Sequence, residues 1–353
     1  MKKFDYIIVG QGLAGTCLAF QLRCQNKSVF VIDKHRENTS SKVALGVYNP
    51  MVLKRFTPCW KVEEQLEPLY NFLDTFESIF DKTIHTRVKL FRKFNNVFEQ
   101  NLWSEKSQKS RLISFMNPEL ITYNHPNITS FFGFGEVYCA GKVNLPEMIS
   151  LFRRKLVSEK LLLNEEFDFN ALNVENNIVI YKTYEASKIV FCEGSRLPKN
   201  PFFNDLPLMR TKGELLIVEL KNLKLKDILK SSITLLPLGK DLYKVGATFN
   251  WDQKNDICTE SAKEELLDKL KDLVHIQPRL IKHQAALRPT VKDRRALLGS
   301  HSKYSHVYVF NGLGTRGLLL APYLSLQLIQ YMEQQFSLDP EVDVKRYQSQ
   351  DIC

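Results

Sequence analysis

The sequence predicts an α/β protein: a discontinuous strand–helix–strand framework carrying an inserted, β-rich α+β region. Three observations predict it. Residues 4–33 run through strand, glycine turn, helix, strand and acid without a gap. Short apolar runs of strand length recur through residues 86–135 and 206–284. A second glycine turn, at residues 312–317, follows another strand and opens an apolar helix. The 353 residues, 44% hydrophobic and 25% charged with 15 Gly and 14 Pro, suffice for about two domains and exclude a disordered or collagen-like chain.

Residues 4–9 form a β-rich run that leads straight into Gly10-Gln11-Gly12-Leu13-Ala14-Gly15. Ala14, Leu18 and Leu22 then recur at helical spacing, and the apolar run 28–32 ends on Asp33. A G-x-G-x-x-G run carries information in this setting because it joins a strand to a helix. Gly10 permits the tight turn, Gly12 lets the backbone approach a pyrophosphate, and Gly15 lets the helix pack on the strand. The helix start offers unpaired N–H groups and the positive end of its dipole to phosphates. Asp33 stands 23 positions after Gly10, near the roughly 20 expected of a carboxylate that accepts from a ribose hydroxyl. A carboxylate there disfavours a 2′-phosphate. The framework is therefore Rossmann-like, with FAD or NAD as its ligand rather than NADP.

Residues 63–80 carry Leu66, Leu69, Tyr70, Leu73 and Phe76 at helical spacing. From Arg87 to about Phe134, short β-like runs alternate with polar loops. Residues 145–156 read as a helix capped by Asn144, with Pro146 in its first turn. Residues 178–181, 189–192, 214–220, 233–236 and 243–248 read as strands. Residues 261–274 read as an amphipathic helix opened by a capping box of Ser261 and Glu264. The resulting division gives 1–85, 136–205 and 285–353 to the dinucleotide-binding domain, and 86–135 and 206–284 to a substrate domain.

Seven cysteines without a C-x-x-C pair, and seven scattered histidines, predict neither a disulfide framework nor a metal site. The charge balance, 49 Lys+Arg against 39 Asp+Glu or +10, favours anionic ligands and equally serves solubility. Met1-Lys2-Lys3 is followed by no adequate apolar leader region. The longest apolar stretch, Leu318 to Leu324, is broken by Pro322. No membrane partner and a cytoplasmic location are the expectation.

The C-terminal block reads Ala286-Leu287-Arg288-Pro289-Thr290-Val291-Lys292-Asp293, then Leu297-Leu298-Gly299, then a strand entering Asn311-Gly312-Leu313-Gly314-Thr315-Arg316-Gly317. Together with the N-terminal turn, Ser40-Ser41 to Pro50, Val190 to Gly194 and Lys212-Gly213-Glu214, it resembles the D-amino-acid oxidase family of FAD-dependent oxidoreductases, glycine oxidase-like. It is similar as well to the FAD-dependent oxidase domain of the enzyme that modifies the wobble uridine of tRNA. The likeness is thin between residues 85 and 135. It implies FAD, with the second glycine turn against the flavin ring, where a helix N-terminus stabilises the negative charge of the reduced ring. Ser40, Ser41, Ala44 and Gly46 match the small-residue loop near the flavin. Leu13, Ala14, Lys34, Gly194, Gly312, Gly314, Thr315, Gly317 and Leu318 complete the expected cofactor contacts. Covalent attachment in the sarcosine oxidase branch uses a cysteine near this block. None occurs between Cys258 and Cys353, so non-covalent FAD is expected.

Arg288 and Arg316 match the arginines that hold the substrate carboxylate, and a planar guanidinium binds a carboxylate bidentately. The alternative for Arg288 is a structural ion pair with Asp293 or a neighbour. Lys54 and Arg55 are either exposed basic residues or aids to oxygen reduction. The resemblance implies oxidation of an amine next to a carboxylate, an amino acid or N-substituted glycine, by hydride transfer to flavin, with oxygen or another acceptor taking the electrons. A second reading is a tRNA wobble-uridine oxidase acting on a carboxymethylaminomethyl group, with Arg153, Arg154, Lys155, Lys221, Lys224 and Lys226 as phosphate contacts. A third, of another class, is a flavin-binding interaction module without catalysis.

Overall fold

The first strand, Lys2–Val9, is buried on both faces along its second half: Tyr6, Ile7, Ile8 and Val9 are at most 3% exposed. The computed structural model describes residues 1–122, 125–128, 130–175 and 178–348. A strand apolar on both faces belongs inside a parallel sheet covered on both sides. Lys2–Val9 accordingly pairs in parallel with Val29–Ile32 on one edge and Tyr184–Phe191 on the other. Leu162–Leu163 extends the sheet beyond Val29–Ile32, and Val307–Asn311 extends it beyond Tyr184–Phe191, both in parallel. In chain order these five strands lie 3-2-1-4-5. The order reverses beside the first strand, and the crevice at such a reversal is where α/β sheets bind ligands.

Tyr6, Ile8, Val29 and Val31 face a core shared with the helices Leu13–Cys24, Val62–Phe80, Leu145–Ser158 and Gly317–Gln334. Phe20 ties it together, its ring centroid lying 5.3, 5.1 and 6.0 Å from those of Phe72, Phe76 and Phe152. Truncating Phe20 to alanine would cost about 3–5 kcal/mol. Ile7, Val9, Phe30 and Ile32 face the opposite core, with Val179, Tyr181, Phe191 and Phe203.

A second, eight-stranded sheet has the order Arg279–Val291, Leu208–Glu219, Leu242–Gly246, Thr234–Gly239, Ile228–Lys230, Leu90–Lys93, Phe134–Val137 and Met116–Ile121. Strand alternation gives it two faces. Leu216, Val218, Leu229, Leu235, Tyr243 and Val245 pack on Leu266 and Leu270 of the helix Glu260–Lys271. The other face fronts the cavity described below.

Helices are found at Val62–Phe80 and Leu145–Ser158, the latter capped as expected by Asn144, whose side chain accepts from the Glu147 N–H. The stretch expected to hold only β-like runs contains the helix Val97–Ser107, capped by Asn96. Only Trp103 and Ser107 of that helix are buried, so it has almost no apolar stripe to read. The capping box at Ser261 does not form. The helix starts at Glu260 after Thr259, whose N–H and hydroxyl both donate to Glu214 instead. The strands Phe134–Val137 and Arg279–Val291 each pair along their length within the second sheet. We therefore propose the two-domain division with its boundaries at strand ends rather than at 135/136 and 284/285.

Candidate active site

The first glycine turn does three separate jobs. Gly10 has φ +99, and a Cβ there would stand 2.5 Å from the Cys192 carbonyl oxygen, so turn and neighbouring strand end require glycine. A Cβ on Gly15 would lie 1.9 Å from the Gly10 carbonyl oxygen, which is the close helix-to-strand packing. Gly12 is the N-cap residue of Leu13–Cys24. A Cβ on it would meet only the Ser41 Oγ, at 3.3 Å. The Leu13 N–H donates to that Oγ at 3.0 Å, so the small-residue loop already supplies an acceptor at the helix start.

Gly12, Leu13, Ala14, Ser40, Ser41, Ala44 and Gly46 line a cavity of about 440 Å3. Gly194, just past Tyr184–Phe191, and Gly314, Thr315, Gly317 and Leu318, in the second glycine turn and the helix start after it, also line it. A Cβ on Gly317 would come 2.9 Å from Leu13 Cδ2. The starts of Leu13–Cys24 and Gly317–Gln334 thus converge on one cavity with both dipole-positive ends. Gly312, with φ +73, packs against Val291 and Leu297, shaping the turn without lining the cavity. Lys34 is exposed and lines neither this cavity nor the smaller one beside it.

Asp33 lines that second cavity, about 30 Å3, together with Gln11 and Gly12. Its Oδ1 accepts from the Gln11 N–H at 3.0 Å and its Oδ2 from Arg153 at 2.7 Å. Each carboxylate oxygen accepts two hydrogen bonds, so one place on each remains for a ribose hydroxyl. Arg153 also donates to Gln11 and Asn164. It is therefore a support of this acid, not a free phosphate contact. Arg154 pairs with Glu147, and Lys155 with Glu159. Lys221, Lys224 and Lys226 are exposed, as are Lys54 and Arg55.

Arg288 and Arg316 both line the larger cavity. The register of the second sheet explains the first. Gly213 pairs with Ala286 and Thr211 with Arg288, so alternation turns Gly213 and Arg288 to one face and Lys212 and Glu214 to the other. The Arg288 guanidinium donates to the carbonyls of Thr248, at 3.2 and 3.3 Å, and Lys212, at 3.4 Å, and lies 5.4 Å from the Phe249 ring centroid. Among the described residues no carboxylate pairs with it. Asp293 accepts from Arg346 and Tyr347 instead, so the structural ion pair with Asp293 is absent. Burial pulls Arg288 down to about 10. Arg316 donates to the Cys59 Sγ at 2.6 Å and the Met51 carbonyl at 3.3 Å. Burial pushes the Cys59 thiol up to about 11 against the opposing pull of Arg316. Arg316 therefore faces a neutral thiol, not a counter-ion.

Sequence reading missed Lys230, which also lines the cavity. Nothing in its local sequence marks it, since its importance comes from cross-strand register. It missed Glu193 as well, next to Gly194. Burial raises that acid to about 7, while Asn200 Nδ2 donates to it at 2.7 Å. Glu214, Cys258 and His283 stand within ligand distance of one another. Glu214 Oε1 and Oε2 accept from the Thr259 hydroxyl and N–H, and Lys212 Nζ stands 3.0 Å from Oε1 and His283 Nε2 2.8 Å from Oε2, so the carboxylate is already engaged within the chain. No helix among the described residues is long and apolar enough to cross a membrane.

Two helix N-termini meeting at the reversal point of a parallel sheet define a Rossmann-like dinucleotide-binding enzyme, here with a cationic cavity. The profile of the DAO family, FAD dependent oxidoreductase, matches residues 5–330, and the chain belongs to that family. It is an FAD-dependent oxidoreductase. Its structure is similar to that of glycine oxidase from Geobacillus kaustophilus, with TM-score 0.82 and 16% identity over 97% of this chain and 98% of that one. It is similar also to iminodiacetate oxidase from Chelativorans sp. BNC1, with TM-score 0.77 and 15% identity over 96% and 98%. At such identities these likenesses concern the fold. The tRNA 5-methylaminomethyl-2-thiouridine biosynthesis bifunctional protein of Marinobacter nauticus is 27% identical over an alignment of 192 residues that covers 48% of this chain and 30% of that protein. The match thus spans under a third of that relative's length.

Proposed function

We propose that the chain oxidises an amine next to a carboxylate, an amino acid or N-substituted glycine, whose carboxylate Arg288 and Arg316 hold. One observation carries this reading: Arg288 is a half-buried, desolvated guanidinium without a carboxylate partner among the described residues, in a cavity that no aspartate or glutamate lines. A desolvated charge is costly unless paired, which supports a site built for an anionic ligand. The same feature supports an enzyme over an interaction module.

The cradle fits FAD, because Gly12 presents no side chain where a pyrophosphate would approach. Gly12 and the start of Leu13–Cys24 would hold the pyrophosphate, Asp33 a ribose, and the Ser40–Gly46 loop with the 312–317 turn the ring system, non-covalently. When bound, FAD supplies hydride acceptance from the carbon between amine and carboxylate. Arg288 and Arg316 fix that carbon's position by fork-like hydrogen bonds, and orientation is the larger part of what a hydride transfer requires. The names of two fold neighbours supply glycine and iminodiacetate as first amines to try.

The test is anaerobic mixing of the yellow holoenzyme with glycine, sarcosine and iminodiacetate, read as bleaching of flavin absorbance. Bleaching that Arg288→Lys abolishes supports the reading. Bleaching unchanged by Arg288→Lys would sink it. The second reading, a tRNA wobble-uridine oxidase, draws on the Marinobacter relative. The carboxymethylaminomethyl group of the uridine in that reading is itself an N-substituted glycine, so the same arginines would serve it.

A further inference from the structure

Ile228–Lys230 lies in the middle of the second sheet, and register fixes which way Lys230 points. Lys230 pairs with Thr234, Thr234 with Gly246, and Gly246 with Leu215. Thr234, Gly246 and Leu215 all line the cavity, as does Leu90, two residues before the other partner of Lys230, Arg92. Leu229 and Phe91, one residue out of phase, belong to the core on the opposite face. In-register residues share a face, so the Lys230 side chain stands on the cavity face, as Arg288 does.

Among the described residues no acid pairs with it. Arg92, its in-register neighbour, holds Glu99 at 2.9 Å, which leaves this pair of cations with one carboxylate between them. Burial is the largest influence on the Lys230 ammonium and brings it down to about 8, and Arg92 and Lys269 push the same way. The cavity therefore carries three cations without carboxylate partners among the described residues, Arg288, Arg316 and Lys230. One substrate carboxylate meets the two arginines and leaves the lysine over.

Resting on the amine-oxidation reading above, we propose that Lys230 is a specificity-determining residue that holds a second anionic group of the substrate. The preferred substrate class is then an N-substituted glycine whose N-substituent ends in a carboxylate or comparable anion. A neutral alkyl substituent leaves Lys230 half-buried and without a counter-ion, a cost that the dianionic substrate removes.

The experiment compares pairs of compounds with and without the terminal carboxylate on the FAD-loaded enzyme. The reactive pair is N-(2-carboxyethyl)glycine and N-propylglycine, assayed by kcat and KM. The unreactive pair replaces the amine by sulfur, 3-(carboxymethylthio)propanoate and (propylthio)acetate, titrated by the change in flavin absorbance. The wild type should favour the dianion of each pair. Lys230→Met should shrink that preference roughly ten- to a hundredfold, the range of a charge-assisted hydrogen bond, mainly through KM, and Lys230→Arg should restore part of it. Three results overturn the proposal: no preference in the wild type, an equal loss for both members of a pair in Lys230→Met, or an altered flavin content or resting spectrum in that variant. If the thioethers discriminate while no amine bleaches the flavin, the second-anion site stands and the amine-oxidation reading falls.

Discussion

Gly213 lies beneath the guanidinium of Arg288: a Cβ built on it would stand 2.0 Å from Arg288 Nη2. The atom in the way is the far end of a flexible side chain, so Gly213→Ala moves the guanidinium rather than the backbone. The variant should fold and keep FAD. Misplacing an orienting group by about 1 Å costs on the order of a hundredfold in rate, and a loss of that order in kcat/KM is expected. Steady-state kinetics beside a thermal melt checks it, and an unchanged kcat/KM would separate Arg288 from the substrate.

Arg288 itself sets function against stability. Arg288→Lys keeps a charge but not the fork, and should retain FAD while losing most of kcat/KM. Arg288→Ala should cost more, about 2–5 kcal/mol of binding, the range for truncating one partner of a buried charge pair. Arg288→Met removes a desolvated charge and should stabilise the ligand-free protein by about 1–4 kcal/mol. Because burial lowers the guanidinium to about 10, its charge opposes folding at every pH below that value. The gain in melting temperature should therefore be constant between pH 6 and 9, while carboxylate affinity of the wild type declines only above about pH 10. A destabilised Arg288→Met protein would make the residue structural.

The glycines of the first turn should separate by what a methyl group meets. Gly15→Ala drives a Cβ into the Gly10 carbonyl, a backbone atom 1.9 Å away, and should prevent folding or FAD retention altogether. Gly12→Val faces the cavity and should leave the fold while abolishing FAD binding, since the side chain occupies the pyrophosphate's approach. Flavin content of the purified proteins and their far-ultraviolet circular dichroism distinguish the two. Yellow Gly12→Val protein would place the pyrophosphate elsewhere.

The parallel sheet was legible because its strands are buried on both faces and so read as unbroken apolar runs bounded by glycine turns, as at Ile7-Ile8-Val9 before Gly10. The helix Val97–Ser107 was not, since it buries little beyond Trp103 and carries no periodic stripe. Thr259 shows a second limit: its donors are drawn to Glu214, a residue 45 positions away, so local capping grammar at Ser261 lost to a tertiary contact. Asp33 was readable as an acid at the right spacing, whereas its holder Arg153 comes from a distant helix. Lys230 marks the sharpest boundary. Its neighbours Leu229 and Ser231 signal nothing, and only the pairing with Thr234 and Arg92 turns it towards the cavity.

Glu193 gives the protein a stability term with an unusual sign. Burial raises its pKa to about 7 from a model-compound value of 4.5. Between these values the folded state binds the proton that the unfolded state has lost, so stability falls as pH rises through that window, and the full penalty holds above about pH 7. Glu193→Gln keeps an acceptor for Asn200 and removes the charge. It should leave the melting temperature unchanged near pH 4 and raise stability above pH 7, by up to about 3 kcal/mol. Thermal melts across pH 4–8 provide the check. A gain that does not grow with pH would contradict the buried-acid account.

The two substrate readings part over salt. A small amine carboxylate makes one or two ionic contacts inside a cavity, where added ions screen little. Turnover of free N-alkyl glycines should therefore change little between about 50 and 200 mM salt. A tRNA substrate must meet basic residues with several phosphates, and its affinity should fall with a log–log slope of roughly −0.7 to −0.9 per contact. Arg153, Arg154 and Lys155 are each held by acids of this chain, so the exposed Lys221, Lys224 and Lys226 are the better candidates. They lie in the connection between Leu208–Glu219 and Ile228–Lys230. Replacing all three by glutamine should lower the slope by about two to three units if they meet phosphates, and leave turnover of free amines untouched. We expect salt-insensitive turnover of free amines. Tight tRNA binding with a steep slope that the triple variant flattens, together with no bleaching by any free amine, would transfer the site to the nucleic-acid reading, with Arg288 holding the carboxylate of the modified base.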